Sequence, residues 1–335
     1  MIKVSVIVPC FNEQETILQL LGAVLNQSYP PDKTEVIIAD GLSTDHTREM
    51  IKAFQVNHPN FTIRIIDNKK RIIPSGLNRA IEAAQGEYIV RMDAHSIPDR
   101  DYIKFCINGL EKGLGDNIGG IWKIQPGAKT WIAKAIAVAA SHPLGVGDAL
   151  YRIGGIAQGV DTVPFGAFRR ELIDKIGMFD ETLLTNEDYE FNTRVRQSGG
   201  KVWMDPSIRS VYFARASLKE LVHQYWRYGY WKAQMLRKYP KTLRWRQGLP
   251  PLFVFALISL GLLSLICYFA SWVLVIIVLL YTTVISILGI KMSINHKDIS
   301  MTIGVPLAIA TIHLSYGSAL LWGLVIKPKA SEIHK

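Results

Sequence analysis

Glu87-Tyr88-Ile89-Val90-Arg91-Met92-Asp93-Ala94-His95 opens on aromatic and β-branched residues and closes on two potential metal ligands. The opening reads as a short buried strand. Open α/β sheets bind ligands beyond the carboxyl ends of their strands, so Asp93 and His95 are expected at a ligand-binding edge. Ala94 between them is small enough to let a phosphate approach the backbone. This edge is expected to hold a divalent cation and, through it, a nucleotide diphosphate.

Upstream residues supply more of a sheet. Val4 to Val8 reads as a buried strand stopped by Pro9, with a turn at Phe11-Asn12-Glu13. Glu15 to Asn26 reads as a helix, because Ile17, Leu18, Leu21, Val24 and Leu25 recur at helical spacing. A second strand, Glu35 to Ala39, ends on Asp40-Gly41, and Ser43 and Thr44 offer cap chemistry for a helix through Phe54. Phe61 to Ile66 is a third strand, and Pro74 and Ser75 start a helix, Leu77 to Ala84, closed by Gly86. After the quoted strand comes a helix from Pro98 to Leu110. This alternation predicts an α/β fold with a mostly parallel sheet and helices on both faces.

Downstream, Ile118 to Ile124 is a candidate strand and Trp131 to Ala140 an apolar helix. Ser141 to Gly159 is Gly-rich and reads as a mobile substrate loop. Arg170 to Gly177 and Glu187 to Gln197 read as helices. Leu218 to Lys238 is amphipathic and rich in Trp and Tyr, a composition suited to a membrane interface.

The 335 residues carry a formal net charge of +10. From Leu249 the chain turns strongly apolar, with candidate spans at Leu252–Phe269, Trp272–Ile290 and Met301–Ile326, each near the ~20 residues that cross a bilayer. The expected layout is a catalytic domain over 1–215, an interfacial helix region over 216–249 and an anchor over 250–327. Basic residues collect at Lys69-Lys70-Arg71, Arg169-Arg170 and between Arg237 and Arg246, the last run standing just before the first span. That position suits an anionic membrane surface, and with no nucleic-acid-binding module present, nucleic acid is not an expected partner. Cys10, Cys106 and Cys267 lack metal-type spacing and read as reduced packing residues. The amino terminus does not read as a signal peptide. An uncharged first connection and a basic second one place the catalytic domain in the cytoplasm of a prokaryotic cell, at the plasma membrane. Three crossings would then carry Lys327, Lys329 and Lys335 outside, against the same rule, so the topology stays open.

Pro9 with Phe11-Asn12-Glu13, Asp40-Gly41 with Ser43 and Asp45, Met92-Asp93-Ala94-His95, and Asn186-Glu187-Asp188 occur in this order. Together they resemble the family 2 inverting glycosyltransferases of the GT-A fold over roughly Ile2 to Tyr239. Asp161 to Arg170 and Gln224 to Lys232 resemble the membrane-anchored branch typified by succinoglycan-biosynthesis glucosyltransferases. The resemblance implies that Pro9, Phe11, Glu13 and Asp40 serve the nucleotide, with Phe11 stacking on the base and Asp40 accepting the uracil imide. It implies that Arg71, Asn78 and Arg79 approach the donor. Asp93 and His95 stand where the family has Asp-x-Asp, which grips a Mn²⁺ or Mg²⁺ ion on the diphosphate. His in place of the second Asp departs from that pattern, and imidazole suits transition metals better than Mg²⁺. Asp188 matches the family's base, with Glu187 beside it. Gln224, Arg227 and Tyr228 resemble the Gln-x-x-Arg-Trp box that meets acceptor or phosphate.

Each position also has a plain structural reading: Asp40 as a helix cap, Glu187 and Asp188 as acids at a helix start, the α-helical aromatics as an interfacial belt. The expected function is transfer of a hexose from a nucleotide sugar, a UDP-sugar, to a polyprenyl-diphosphate-linked saccharide in surface polysaccharide assembly. One alternative is a polyprenyl-phosphate sugar synthase, whose acceptor needs no hydroxyl deprotonation. Another is a non-catalytic nucleotide-binding scaffold. No Gly-x-Gly-x-x-Gly follows a strand and no P-loop occurs, which argues against a dehydrogenase or an NTPase.

Overall fold

The computed structural model describes residues 1–328, so Lys329 and Lys335 lie outside the described residues. In chain order the elements are β1 (Val4–Cys10), α1 (Ile17–Leu25), β2 (Thr34–Asp40), α2 (Thr47–Asn57), β3 (Thr62–Asp67), α3 (Ile73–Ala83), β4 (Tyr88–Arg91), β5 (Ile97–Pro98), α4 (Tyr102–Glu111) and β6 (Asn117–Gln125). Then come α5 (Trp131–Ala140), α6 (Pro143–Val146), α7 (Leu150–Ile153), β7 (Gln158–Gly159), β8 (Ala167–Arg169), α8 (Leu172–Ile176), α9 (Glu187–Gln197) and β9 (Val202–Phe213). α10 (Leu218–Lys238), α11 (Trp245–Leu263), α12 (Tyr268–His296) and α13 (Met301–Val325) complete the chain. Contacts divide it into one unit of Met1–Lys123 with Gly154–Tyr212 and another of Ile124–Ile153 with Phe213–Lys327.

In the first unit, strands pair in the order β3-β2-β1-β4-β8-β6-β9-β5, with β7 against β9. The β3-β2-β1-β4 part is parallel, as the alternating pattern requires. β1 and β2 carry near-continuous apolar runs, as strands covered on both faces do, whereas the edge strand β3 is interrupted by Arg64. Val6, Ile7, Val36, Ile37 and Ile38 are fully buried, each contributing about 1.5–3 kcal/mol relative to exposure.

Pro9 does not stop β1. The ladder with β2 continues to Cys10 opposite Asp40. The Ile7 carbonyl accepts from Met92 N–H, so Ile7 and Pro9 turn their backbone groups towards β4, whose pairing ends at Ile7–Arg91. Pro9 therefore lacks its N–H on a side where no ladder bond is needed.

The rest of the sheet is antiparallel; β6 coincides with the candidate strand at Ile118 to Ile124, whereas β8 and β9 were not legible beforehand. β8 is three residues long and lies between β4 and β6. β9 has Asp205-Pro206-Ser207 in its interior, a sequence that reads as a turn. Asp205 accepts there from the Ser207 N–H at 2.8 Å and hydroxyl at 2.6 Å, a local kink inside a continuing strand. The expected Gly-rich loop also differs, since Ser141 to Gly159 contains α6, α7 and β7.

In the second unit, α10 has the expected bounds. Ser217 Oγ accepts from Glu220 N–H and Glu220 accepts from Ala216 N–H, a reciprocal start signal. α10 packs closely on α13: a Cβ at Gly229 would stand 2.3 Å from the Tyr316 carbonyl oxygen. α11 begins at Trp245 rather than Leu252 and runs through Pro250 and Pro251, its start supported by Gln247 Oε1 accepting from Arg244 N–H at 3.2 Å. α11, α12 and α13 are each long and apolar enough to cross a membrane. They differ in burial: 11% and 17% of the apolar windows of α11 and α12 are buried in the protein, against 50% for α13. Cys10 and Cys106 are buried packing residues, whereas Cys267, between α11 and α12, is exposed.

Candidate active site

The carboxyl ends of β1, β2 and β4 carry the residues singled out above. The β1–α1 and β2–α2 turns are laced together: Asn12, in the left-handed region at φ 54°, donates its N–H to Ser43 Oγ at 2.9 Å, and its side-chain oxygen accepts from Thr44 N–H at 2.8 Å. Glu13 N–H donates to Thr47 Oγ1 at 2.8 Å, and Gln14 N–H to Asp45 at 3.2 Å. Ser43 and Thr44, expected to cap the following helix, instead stitch these turns; Asp45 accepts from Thr47 N–H at the helix start.

Asp40 is fully buried. Its carboxylate accepts from Ser43 N–H at 3.0 Å, Ser43 Oγ at 2.5 Å and Arg48 Nε at 2.5 Å. Arg48 also grips Asp67, opposite Asp40 in the sheet register and more exposed. Phe11 is exposed, and the Arg71 guanidinium lies 5.8 Å from its ring centroid. Two of the expected donor-binding residues thus come together. Asn78 is engaged differently: its amide donates to the Phe179 carbonyl at 2.9 Å and Glu181 at 3.1 Å, and accepts from Phe179 N–H at 2.8 Å. Arg79 is exposed on α3.

Asp93 and His95 follow β4, with Ala94 buried between them at 1% exposure rather than opening a path for a phosphate. His95 Nδ1 lies 3.0 Å from Glu13 Oε1, and Glu13 Oε2 accepts from Thr16 Oγ1 at 2.6 Å. A carboxylate on Nδ1 fixes the tautomer that presents Nε2 to a metal, the usual support of a ligating imidazole. Among the described residues no three His, Cys, Asp or Glu side chains form a preformed cage. The fit is to an ion that takes one carboxylate and one imidazole from the protein and completes its sphere with phosphate oxygens and water.

Arg91, the last residue of β4, joins this edge to α9. It is 2% exposed, and its guanidinium meets Asp188 Oδ1, Glu187 Oε1 at 2.8 Å and Asp93 Oδ1 at 3.2 Å. Desolvation opposes its charge, but Asp188, Asp93 and Glu187 outweigh that and raise its pKa, so Arg91 stays a cation. The sequence signal was present: an arginine inside an apolar strand cannot be buried without carboxylate partners.

α9 starts at Asn186, in the left-handed region at φ 70°, with Glu187, Asp188 and Glu190 in its first turn. Farther along, Asn192 donates to Thr162 and Tyr189 to Asp161, fixing α9 against the preceding loop. Asp188 Oδ2 accepts weakly from Phe165 N–H at 3.4 Å, and a quarter of the side-chain surface stays accessible. Burial raises its pKa most; Arg91 pulls it down, and Glu187 and Asp93 push it up, to about 7. A carboxyl that ionises near neutrality and is held by a fixed guanidinium can receive a proton.

Residues 5–177 match the family described as glycosyl transferase family 2. This chain belongs to that family. The family 2 chain is 31% identical to dolichyl N-acetyl-alpha-D-glucosaminyl phosphate 3-beta-D-2,3-diacetamido-2,3-dideoxy-beta-D-glucuronosyltransferase of Methanococcus voltae, over 94% of this chain and 95% of that protein. It is also 31% identical to succinoglycan biosynthesis protein ExoA of Rhizobium meliloti, over 73% of each. Among solved structures, a mannosyltransferase from Pyrobaculum calidifontis in complex with GDP-Man and Mn²⁺ superposes with a TM-score of 0.62 at 18% identity, covering 92% of this chain and 86% of that one. That likeness extends the family assignment to the fold.

The site above lies within the first unit. Gln224, Arg227 and Tyr228 lie on α10 in the second. Gln224 is buried and donates to the Tyr228 hydroxyl at 3.1 Å, while Arg227 is exposed.

Proposed function

We propose that this family 2 glycosyltransferase moves a hexose from a UDP-sugar to a polyprenyl-diphosphate-linked saccharide, inverting the anomeric carbon. The observation that carries the reading is Asp188, ionisable near pH 7 and held by buried Arg91 to the strand edge that ends in Asp93 and His95. An acceptor hydroxyl oxygen attacks C1 from the face opposite the leaving group. Its proton passes to Asp188, the C1–oxygen bond to the diphosphate breaks, and the electron pair leaves with the diphosphate. A divalent cation on Asp93 and His95 would neutralise charge on that diphosphate. Phe11 and Arg71 flank the nucleotide, while the engaged amide of Asn78 suits a scaffold rather than a ligand contact. Asp40 carries Arg48, and through it Asp67, at the base end. The name of the Methanococcus voltae relative, with its lipid-phosphate-linked acceptor, supports a lipid-linked acceptor here.

The membrane reading is refined by hydrogen bonds in the second unit. Arg237, on α10, donates to the carbonyls of Gly323 and Leu324 at 3.0 and 2.8 Å, and Gln234 donates to those of Gly323 and Ile326. The last turn of α13 therefore lies beside the end of α10, and Lys232, bonded to the Thr242 carbonyl at 3.3 Å, ties the segment leading into α11 to the same helix. If α11 and α12 cross and return, α13 also starts on the face where α11 enters. Both ends of α13 then share that face, which makes the anchor a two-helix hairpin and keeps Lys327 on the cytoplasmic side, in accord with the charge rule. The wide exposure of Leu265 (80%) and Ile266 (87%) at the hairpin tip suits lipid contact.

Purified full-length protein, incubated with a panel of nucleotide sugars and extracted lipid-linked acceptors with and without Mn²⁺, tests the reading by product analysis. A single inverted hexose on a lipid-linked saccharide is expected. Transfer to a polyprenyl monophosphate alone would favour the sugar-phosphate synthase, and nucleotide binding without turnover would favour the scaffold.

A further inference from the structure

A cavity of about 410 Å³ lies in the second unit, between α5, the turn after it and the α12–α13 connection. That volume falls within the range of small-ligand sites. Its walls are mixed. Val138, Met292 and Met301 supply apolar surface, while Lys134, His142 and His296 supply groups that bind anions.

Lys134 and His142 can each donate to an anion. The Lys134 side chain is exposed on α5 and makes no hydrogen bond or close ion pair among the described residues; the charge of Asp298 acts on it only at longer range. His142 Nδ1 accepts from Leu144 N–H at 3.1 Å, so the neutral ring carries its proton on Nε2 and is a donor there. Burial first and the Lys291 charge second hold the His142 pKa below its ordinary value, which keeps that tautomer at neutral pH. Asp298 is the one carboxylate on the wall. Its Oδ1 is taken up by the Ser300 N–H at 3.0 Å and hydroxyl at 2.6 Å, and Lys134 and His296 both act on its charge. On the wall itself Lys134 stands against Asp298, and the charge of nearby Lys291, felt at His142, tips the surroundings positive.

The cavity also has a defined depth. It opens where the apolar run of α12 gives way to Lys291 and His296, the level of headgroups if α12 spans a bilayer. A phosphate there would meet Lys134 and His142, with Val138 and Met292 offering apolar surface to a chain beside it.

We propose that this cavity binds a phosphate borne on a lipid chain, and that in the working enzyme this is the phosphate of the lipid-linked acceptor. The proposal rests on the function argued above for the acceptor class, and names where the acceptor's anchor is held. The test measures saturable binding of a radiolabelled short-chain polyprenyl monophosphate to full-length protein in phosphatidylcholine nanodiscs. It needs no nucleotide sugar, so it can fail while transfer succeeds, and the reverse.

Wild type is expected to bind the probe. Lys134→Gln combined with His142→Gln should weaken it by about tenfold or more, the scale of a lost charge-assisted hydrogen bond, and Lys134→Arg with His142 intact should retain it. Because Lys134 is exposed, its replacement tests binding without emptying a core. Competition by phosphatidylglycerol at matching concentrations would assign the site to bulk phospholipid and overturn the acceptor assignment. Competition by inorganic phosphate at the same concentration as the lipid would show that the chain contributes nothing. Unchanged binding by the double variant would remove the site altogether.

Discussion

Replacing Arg91 by Met perturbs the point where the strand edge ending in Asp93 meets the start of α9. The guanidinium contacts Asp188, Glu187 at 2.8 Å and Asp93 at 3.2 Å while only 2% exposed. Removing one partner from a buried charged cluster costs about 3–5 kcal/mol, because the others are left uncompensated. The fold can recover part of that by protonating a carboxylate, and Asp188, already ionising at about 7, is the first to take a proton. Arg91 is the largest influence holding the Asp188 pKa down. Its loss should raise that pKa by about one unit or more, and each unit leaves the base about tenfold less ionised at neutral pH. The assay is release of the nucleotide from its sugar donor against pH, from about pH 6 to about pH 9, with a parallel thermal melt. The rising limb should move to higher pH, with activity partly restored in alkali, and the melting midpoint should fall by roughly 10 °C. Arg91→Lys should be intermediate, keeping a charge but not the planar fork. A lower midpoint with an unmoved rising limb would mean that Arg91 supports the fold alone, and the electrostatic reasoning would be wrong.

Other outcomes follow from the same geometry. The folded Asp188 pKa of about 7 lies above its ordinary 3.8, so its contribution to stability is present below about pH 4 and is lost as pH rises through about 7; without nucleotide or metal, wild type should lose more thermal stability across that window than Asp188→Asn. Asn78→Ala should destabilise the protein by about 2–3 kcal/mol through its lost bonds to Phe179 while leaving the donor KM nearly unchanged, and a raised KM at full stability would contradict a scaffold role. A membrane-impermeant maleimide added to intact cells should label native Cys267 but not Lys327→Cys. Labelling of Lys327→Cys from outside would restore α13 as a crossing helix, and no labelling of Cys267 would mean that the hairpin does not reach the far face.

The parallel half of the sheet was legible because β1, β2 and β4 are mainly apolar runs separated by helices, with a clear start signal at Pro74. Of the antiparallel half only β6 was legible, since three residues of β8 carry too little pattern and Asp205-Pro206 inside β9 imitates a turn. Motif order located Asp93, His95 and Asp188, and the structure brings Asp93 and Asp188 onto one guanidinium. Arg91 itself was in the quoted stretch but passed as part of a strand, because two of its three partners, Glu187 and Asp188, are 96 and 97 residues away in sequence. Asp67 and Arg48 went unnoticed for the same reason: only sheet register sets Asp67 opposite Asp40. Ala94 misled, because alternation at a strand end does not reveal which side chain faces the core.

The role proposed for Asp188 is to take the acceptor's proton during sugar transfer. Its most direct test is the single-turnover rate of hexose transfer from the nucleotide sugar to a lipid-linked saccharide by wild type and Asp188→Asn, with nucleotide binding measured on both. The account predicts that the variant binds nucleotide but transfers at least about a hundredfold more slowly, the scale of general-base catalysis. A variant that binds nucleotide and transfers at the wild-type rate would contradict it.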